Sequence, residues 1–200
     1  MNQISRRSRT TDFKVRDSEN GSPMLIEGYF VVFDQPYNID DWYEEIVDRH
    51  AFDDADMSDV RALIDHNTQL VLGRRNENVQ TLDFEIDDVG LYGRIQINPD
   101  DADAMSLRAR VLRHDVDQAS FGFEEREVVY TDLPDGRTRR TIQSISRLWE
   151  ISVCTFPAYE QTTVSARSAN EDALRRDLLE HRKNSLRRRM KHHGKKCTVN

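Results

Sequence analysis

Cysteine is scarce in this sequence. The 200 residues hold two, Cys154 and Cys197, far apart and one of them near the end of the chain. No disulfide framework follows from such a pair, and a reducing compartment is expected. Long apolar runs are missing as well, and none approaches the length of a membrane span. Met1 to Asp12 is basic and polar with no apolar segment, so no secretory signal is expected there. The sequence has no Cys-x-x-Cys and no His-Glu-x-x-His. Asp100, Asp101 and Asp103 lack the glycine and closing glutamate of a calcium loop and fit a helix N-terminus better. No metal and no cofactor are expected. There is no Gly-x-Ser-x-Gly elbow, which argues against an α/β-hydrolase, and no internal repeat.

Charge and apolar residues are present in quantity but unevenly placed. The chain is 37% hydrophobic and 32% charged, and its apolar residues cluster into runs that can build a core. The net charge of −7 hides an asymmetry. Residues 167–200 carry 11 Lys and Arg against 4 Asp and Glu, while residues 1–166 carry 18 against 32. An acidic body with a basic tail suggests two parts with different partners. The length suits one domain of ordinary size plus a tail.

The periodicities are mostly those of strands. Residues 1–22 read as a flexible arm. Met24 to Phe33 is a strand with a close approach or bulge at Gly28. Trp42 to Val47 and Val60 to Ile64 are short strands, with a short helix expected between them over Arg49 to Met57. Leu70 to Leu72 is a further apolar patch. Val79 to Ile86 and Leu91 to Ile97 alternate on either side of a turn and predict a hairpin. Pro99 to His114 changes to helical spacing through Ala104, Leu107, Val111 and Leu112. Ala119 to Tyr130 is a long strand, followed by the turn Pro134-Asp135-Gly136. Thr138 to Phe156 is an irregular, strand-like run. Residues 168–200 read as a basic helical tail. The fold class expected is mainly β with flanking helices, a closed or nearly closed β-barrel occupying residues 23–167.

Three residues have the chemistry of a catalytic set. Ser120 lies in Ala119-Ser120-Phe121-Gly122-Phe123, a hydroxyl inside an apolar run with a glycine two positions on. It suits a nucleophile if a base and an orienting group accompany it. It equally suits a small buried hydroxyl bonded to a carbonyl. His66 follows the end of an apolar strand and sits between Asp65 and Asn67, which suits a general base as well as a structural role. Glu150 stands inside Leu148-Trp149-Glu150-Ile151, where a carboxylate is costly unless it is paired or faces solvent. It is the orienting acid of a triad on one reading and a solvent-face residue on the other. His50 and His114 fit helix-end polarity, and His181, His192 and His193 belong to the charged tail. Cys154 paired with His66 is an alternative thiol nucleophile, although a cysteine in an apolar strand is usually just buried.

The ordered set of motifs resembles the prohead (capsid maturation) serine protease family of tailed bacteriophages, related to the herpesvirus assemblins. The matching pieces begin with Glu27-Gly28-Tyr29 and Phe33, then Glu45-Ile46 with Ala51-Phe52, then Val60 and Leu63 leading to His66-Asn67. Leu72-Gly73-Arg74, Gly90-Leu91 and Ser120-Phe121-Gly122-Phe123 follow. Glu150-Ile151-Ser152-Val153, Thr155, Pro157-Ala158-Tyr159, Thr163 and Arg167 close the set. The resemblance covers about residues 24–167, and His50 departs from the glycine usual before Ala-Phe.

The resemblance implies a herpesvirus-protease-like β-barrel and a serine endopeptidase with His66 as base, Ser120 as nucleophile and Glu150 as third member. Gly122 and Arg147 are suggestions for the oxyanion hole. The implied partners are the major capsid protein with its scaffold or delta segment, the protease itself through autocleavage, and a second copy in a homodimer or higher oligomer. No membrane is implied, and nucleic acid only weakly, through the basic tail. The implied place of action is the host bacterial cytoplasm, inside the prohead. The rival from another class is a catalytically silent β-barrel that serves as a capsid-assembly chaperone or scaffold-binding protein.

Overall fold

The computed structural model describes residues 4–18, 22–39, 41–156, 176–184, 186, 187 and 190. The chain divides into two units, residues 1–161 and 162–200. Expectations that fall on residues 157–175 and 191–200 lie outside the described residues. Within the second unit, 176–184 is helical. No helix among the described residues is long and apolar enough to cross a membrane.

Among the described residues, the first unit holds eleven strands and one helix. In chain order they are β1 (Ser5–Thr10), β2 (Lys14–Arg16), β3 (Leu25–Val32), β4 (Tyr37–Asn38), β5 (Tyr43–Val47), β6 (Val60–Ile64), β7 (Asn67–Arg75), β8 (Leu82–Ile86), β9 (Gly90–Gln96), α1 (Ala102–Leu112), β10 (Gln118–Asp132) and β11 (Thr138–Cys154). One sheet runs β1-β10-β11-β5-β4, with β6 beside β11 and β7 beside β6; the other runs β2-β3-β9-β8. The expected β8–β9 hairpin is present. Helix α1 is capped by Asp101, whose Oδ1 accepts from the backbone N–H of Asp103 at 2.9 Å and of Ala104 at 3.3 Å. It buries Ala104, Leu107 and Val111.

β11 is the hub. Along one edge it pairs antiparallel with β10 over its whole length. Along the other it pairs parallel with β5 through residues 138–142 and with β6 through residues 150–153. Its irregular pattern has a physical origin in that register. Gln143, Ser146 and Trp149 have no counterpart on β10, so each is an extra residue in the ladder. Each insertion lengthens the two-residue repeat to three. Ile142, Ile145, Leu148 and Ile151 therefore all reach the core and are fully buried.

Three expectations are corrected. The strands form two open sheets among the described residues, not a closed barrel. The chain passes from one sheet to the other through residues 11–13, 33–36, 76–81 and 97–117. Residues 1–22 are not merely a flexible arm, because β1 and β2 lie within them. Phe13 anchors that segment: it is buried, meets Phe30 in a tilted ring contact at 5.6 Å and fills the space left by the missing side chain of Gly28. Between β5 and β6 there is no helix but a chain of turns, with Ala51 N bonded to Asp48 O at 3.0 Å and Ala55 N to Phe52 O at 3.1 Å. The Asp48 side chain takes the N–H of His50 at 2.9 Å, a local bond that competes with helix formation. Ala51 and Phe52 are buried all the same.

Candidate active site

The first half of β10 alternates, so Ala119, Phe121 and Phe123 turn to the core while Ser120 and Gly122 turn to the opposite face. Phe121 and Phe123 stack at 4.6 Å on the core side. In the ladder Ser120 stands opposite Ser152, and Gly122 opposite Glu150. On the other flank β1 sets Ser8 beside Ser120 and Arg6 beside Gly122. The extra residue Trp149 is what allows Leu148 and Ile151 to enter the core on either side of Glu150. Glu150 is 6% exposed, so it is not a solvent-face residue.

His66 arrives from the tight turn between β6 and β7. Ile64 pairs with Asn67, leaving Asp65 and His66 as the two turn residues. Both have positive φ, 49° and 58°, as a two-residue hairpin of the I′ kind requires. That conformation is uncommon for residues with a side chain, though Asp and His are among those that adopt it. The turn is pinned to the end of β11. Asp65 N donates to Val153 O at 3.1 Å, and the Asp65 carboxylate accepts from Thr155 N at 2.7 Å and Thr155 Oγ1 at 3.2 Å.

The pinned turn delivers the imidazole to Glu150. His66 Nδ1 lies 2.6 Å from Glu150 Oε1. An ionised carboxylate only accepts, so Nδ1 is the donor and, in the neutral ring, Nε2 is left bare. Nε2 is buried and has no hydrogen-bond partner among the described residues. The second carboxylate oxygen, Oε2, accepts from Ser152 Oγ at 2.6 Å. Arg6 Nε is 3.8 Å from Oε1 and half-exposed. Gly122 leaves room for the carboxylate: a Cβ there would stand 2.4 Å from Glu150 Oε1.

Of the three residues expected from the sequence, His66 and Glu150 are thus in direct contact. Ser120 lies on the same face, fully buried, with its Oγ donating to Arg7 O at 2.8 Å rather than to His66. Arg147 is engaged elsewhere, 3.3 Å from Asp56 and with its guanidinium 3.8 Å over the Trp149 ring. Gly122 makes space for Glu150, a different use from the one suggested for it. Cys154 is buried, and burial, reinforced by the charges of Asp65 and Glu150, pushes its thiol well above the ordinary value. A thiol held protonated is a poor nucleophile. Ser152 and Arg6 were not legible as site residues. A serine in an apolar run carries no signal of its carboxylate partner, and Arg6 meets the site only through the β1–β10 pairing.

The model of the caudovirus prohead serine protease matches residues 11–176. The prohead protease of Enterobacteria phage HK97 is 32% identical over 157 residues, which is 76% of this chain and 64% of that protein. The chain therefore spans just under two thirds of the length of that relative. Among solved structures, the bacteriophage T4 capsid assembly protease aligns with a TM-score of 0.47 at 12% identity, over 78% of this chain and 98% of that one.

Proposed function

The chain belongs to the caudovirus prohead serine protease family, and we propose on that premise that it is a serine endopeptidase of capsid maturation. The observation that carries the proposal is the His66–Glu150 contact, whose Nε2 is buried and bare on the face that also holds Ser120.

His66 is the general base, Ser120 the nucleophile and Glu150 the orienting acid. As the Ser120 hydroxyl turns from Arg7 O to Nε2, its proton passes to His66 and Oγ bonds to the carbonyl carbon of a peptide. Glu150 stabilises the imidazolium through Nδ1. The proton then goes to the leaving amine as the C–N bond breaks, and water hydrolyses the acyl-enzyme by the same base. The substrates are the scaffold or delta segment of the major capsid protein and the protease itself, cut inside the prohead within the host cell. A second copy of the chain completes the assembled enzyme. The basic stretch 168–200 serves to load the protease by binding an acidic scaffold.

A second reading, a silent assembly factor, draws on one observation: the Ser120 hydroxyl is bonded to Arg7 O and not to His66. Catalytic hydrogen bonds often tighten only with substrate bound, so that bond does not by itself favour silence. Co-expression with the capsid protein of the same phage separates the two, reading intact masses for wild type and Ser120→Ala. Loss of a capsid segment with wild type only is the expected result. Equal processing by both removes Ser120 as nucleophile, and processing by neither supports the silent factor.

A further inference from the structure

Glu150 is held from its own strand as well as from the histidine. Ser152 is two residues further along β11, fully buried, and directly across the ladder from Ser120. Its hydroxyl donates to Oε2 of Glu150 at 2.6 Å while Oε1 meets His66 Nδ1 at 2.6 Å. A carboxylate on a flexible stem has two equivalent oxygens and several rotamers, and a fixed donor on one oxygen removes that freedom.

Among the described residues, the other surroundings of the carboxylate do not supply such a donor. From β1, Arg6 approaches Oε1 only to 3.8 Å with a half-exposed side chain. From β6, Arg61 stands beside Glu150 in register but pairs with Asp59 at 3.3 Å. From β10, Gly122 brings no side chain. Without Ser152, Arg6 is the nearest remaining cation and can draw the carboxylate off the imidazole.

We propose that Ser152 is a positioning residue of the active site, its hydroxyl locking Glu150 in the one orientation that holds His66 with Nε2 bare. The inference rests on the protease reading given above. It makes the motif Glu150-Ile151-Ser152 a functional unit, in which the two-residue repeat of a strand puts acid and hydroxyl on the same face.

The test uses the full chain, assayed on a peptide spanning the bond located by co-expression, with Ser152→Ala and Ser152→Thr. The Ser152 donor stabilises the ionised carboxylate most when the imidazole is neutral. Its loss should therefore make the pair hold its proton to higher pH. For Ser152→Ala we expect kcat to fall about tenfold or more with KM little changed. The acid limb of the kcat profile should move up by roughly half a pH unit or more. Ser152→Thr, which keeps the hydroxyl, should restore both. A fluorophosphonate probe should still label Ser120 in Ser152→Ala, more slowly. Wild-type kcat and an unmoved acid limb in Ser152→Ala would overturn the inference, as would lost kcat with an unmoved limb and no recovery in Ser152→Thr. Labelling of Ser152 instead of Ser120 would make it the nucleophile and overturn it too. Failure of the probe to label wild type, with full cleavage by Ser120→Ala, would remove the protease reading itself.

Discussion

Gly122 illustrates how one missing atom can serve chemistry more than stability. A methyl group there would stand 2.4 Å from Glu150 Oε1 and 3.0 Å from the carboxyl carbon. Those atoms are the far end of a flexible side chain, so the carboxylate gives way and the backbone need not. Gly122→Ala should fold with a melting temperature within a few degrees of wild type, since alanine suits an extended strand and about 1 kcal/mol moves a domain of this size by roughly 2–4 °C. Its kcat should fall by about a hundredfold, inside the roughly ten-thousandfold range known for disabling the orienting acid of a triad. Melting curves and peptide cleavage on one preparation check this; a large drop in melting temperature, or unimpaired cleavage, would contradict it. His66 and Glu150 were singled out from residue type and setting, a histidine closing an apolar strand and a glutamate inside one. Their contact joins positions 84 residues apart, and only the triad reading and the family resemblance, not periodicity or spacing, brought the two together. Ser152 had no signal: its role exists only once Glu150 is in place.

The β6–β7 turn and the strand β11 show why elements were easier to read than their partners. Apolar runs found β3 and β6, and alternation found the β8–β9 hairpin, to within a few residues. It lost its phase on β11, where three inserted residues convert the repeat to three, and register of that kind is set by the partner strand. It missed β1 because Ser5–Thr10 holds no apolar residue to reveal a period. That strand is held by backbone pairing and by the Arg7 guanidinium, which bonds Glu45. The turn carrying His66 has its own dependence on one side chain. Asp65 holds it to Thr155 by two bonds while occupying the left-handed region. Asp65→Ala should lose both bonds and meet a steeper conformational penalty, lowering kcat/KM by about tenfold, whereas Asp65→Asn keeps an acceptor for Thr155 N and tolerates positive φ. Equal kcat/KM for the two variants would show that the pinning is irrelevant to His66.

Four strands of the larger sheet meet in a single buried ion cluster, and it ties the stability of the first unit to pH. Glu45 on β5 accepts from Arg7 of β1 at 2.9 Å and from Arg140 of β11 at 2.6 Å, and Arg140 also bonds Glu125 of β10 at 2.5 Å. Glu45 is 3% exposed. Burial alone would raise its carboxyl, but the guanidinium of Arg7, followed by that of Arg140, outweighs it and holds the group below the ordinary value of 4.5. A carboxyl with a lowered value in the folded state binds protons more readily when unfolded. Its contribution to stability is therefore complete above the ordinary value and drains away as pH falls through the folded one. Exposed pairs such as Asp59 with Arg74 add little, because solvent screens them. Glu45→Gln leaves two buried guanidiniums short of a counter-charge and should cost about 3 kcal/mol near pH 7, the size seen when one partner of a buried pair is removed. The difference from wild type should narrow as pH falls below the ordinary value of 4.5 and on through the lowered folded one, where the glutamate takes up its proton. Urea unfolding of both proteins at several pH values measures it directly. A gap that stays constant from pH 7 to pH 3 would mean that the variant suffers from packing rather than charge, and that the cluster does not link the sheet to pH.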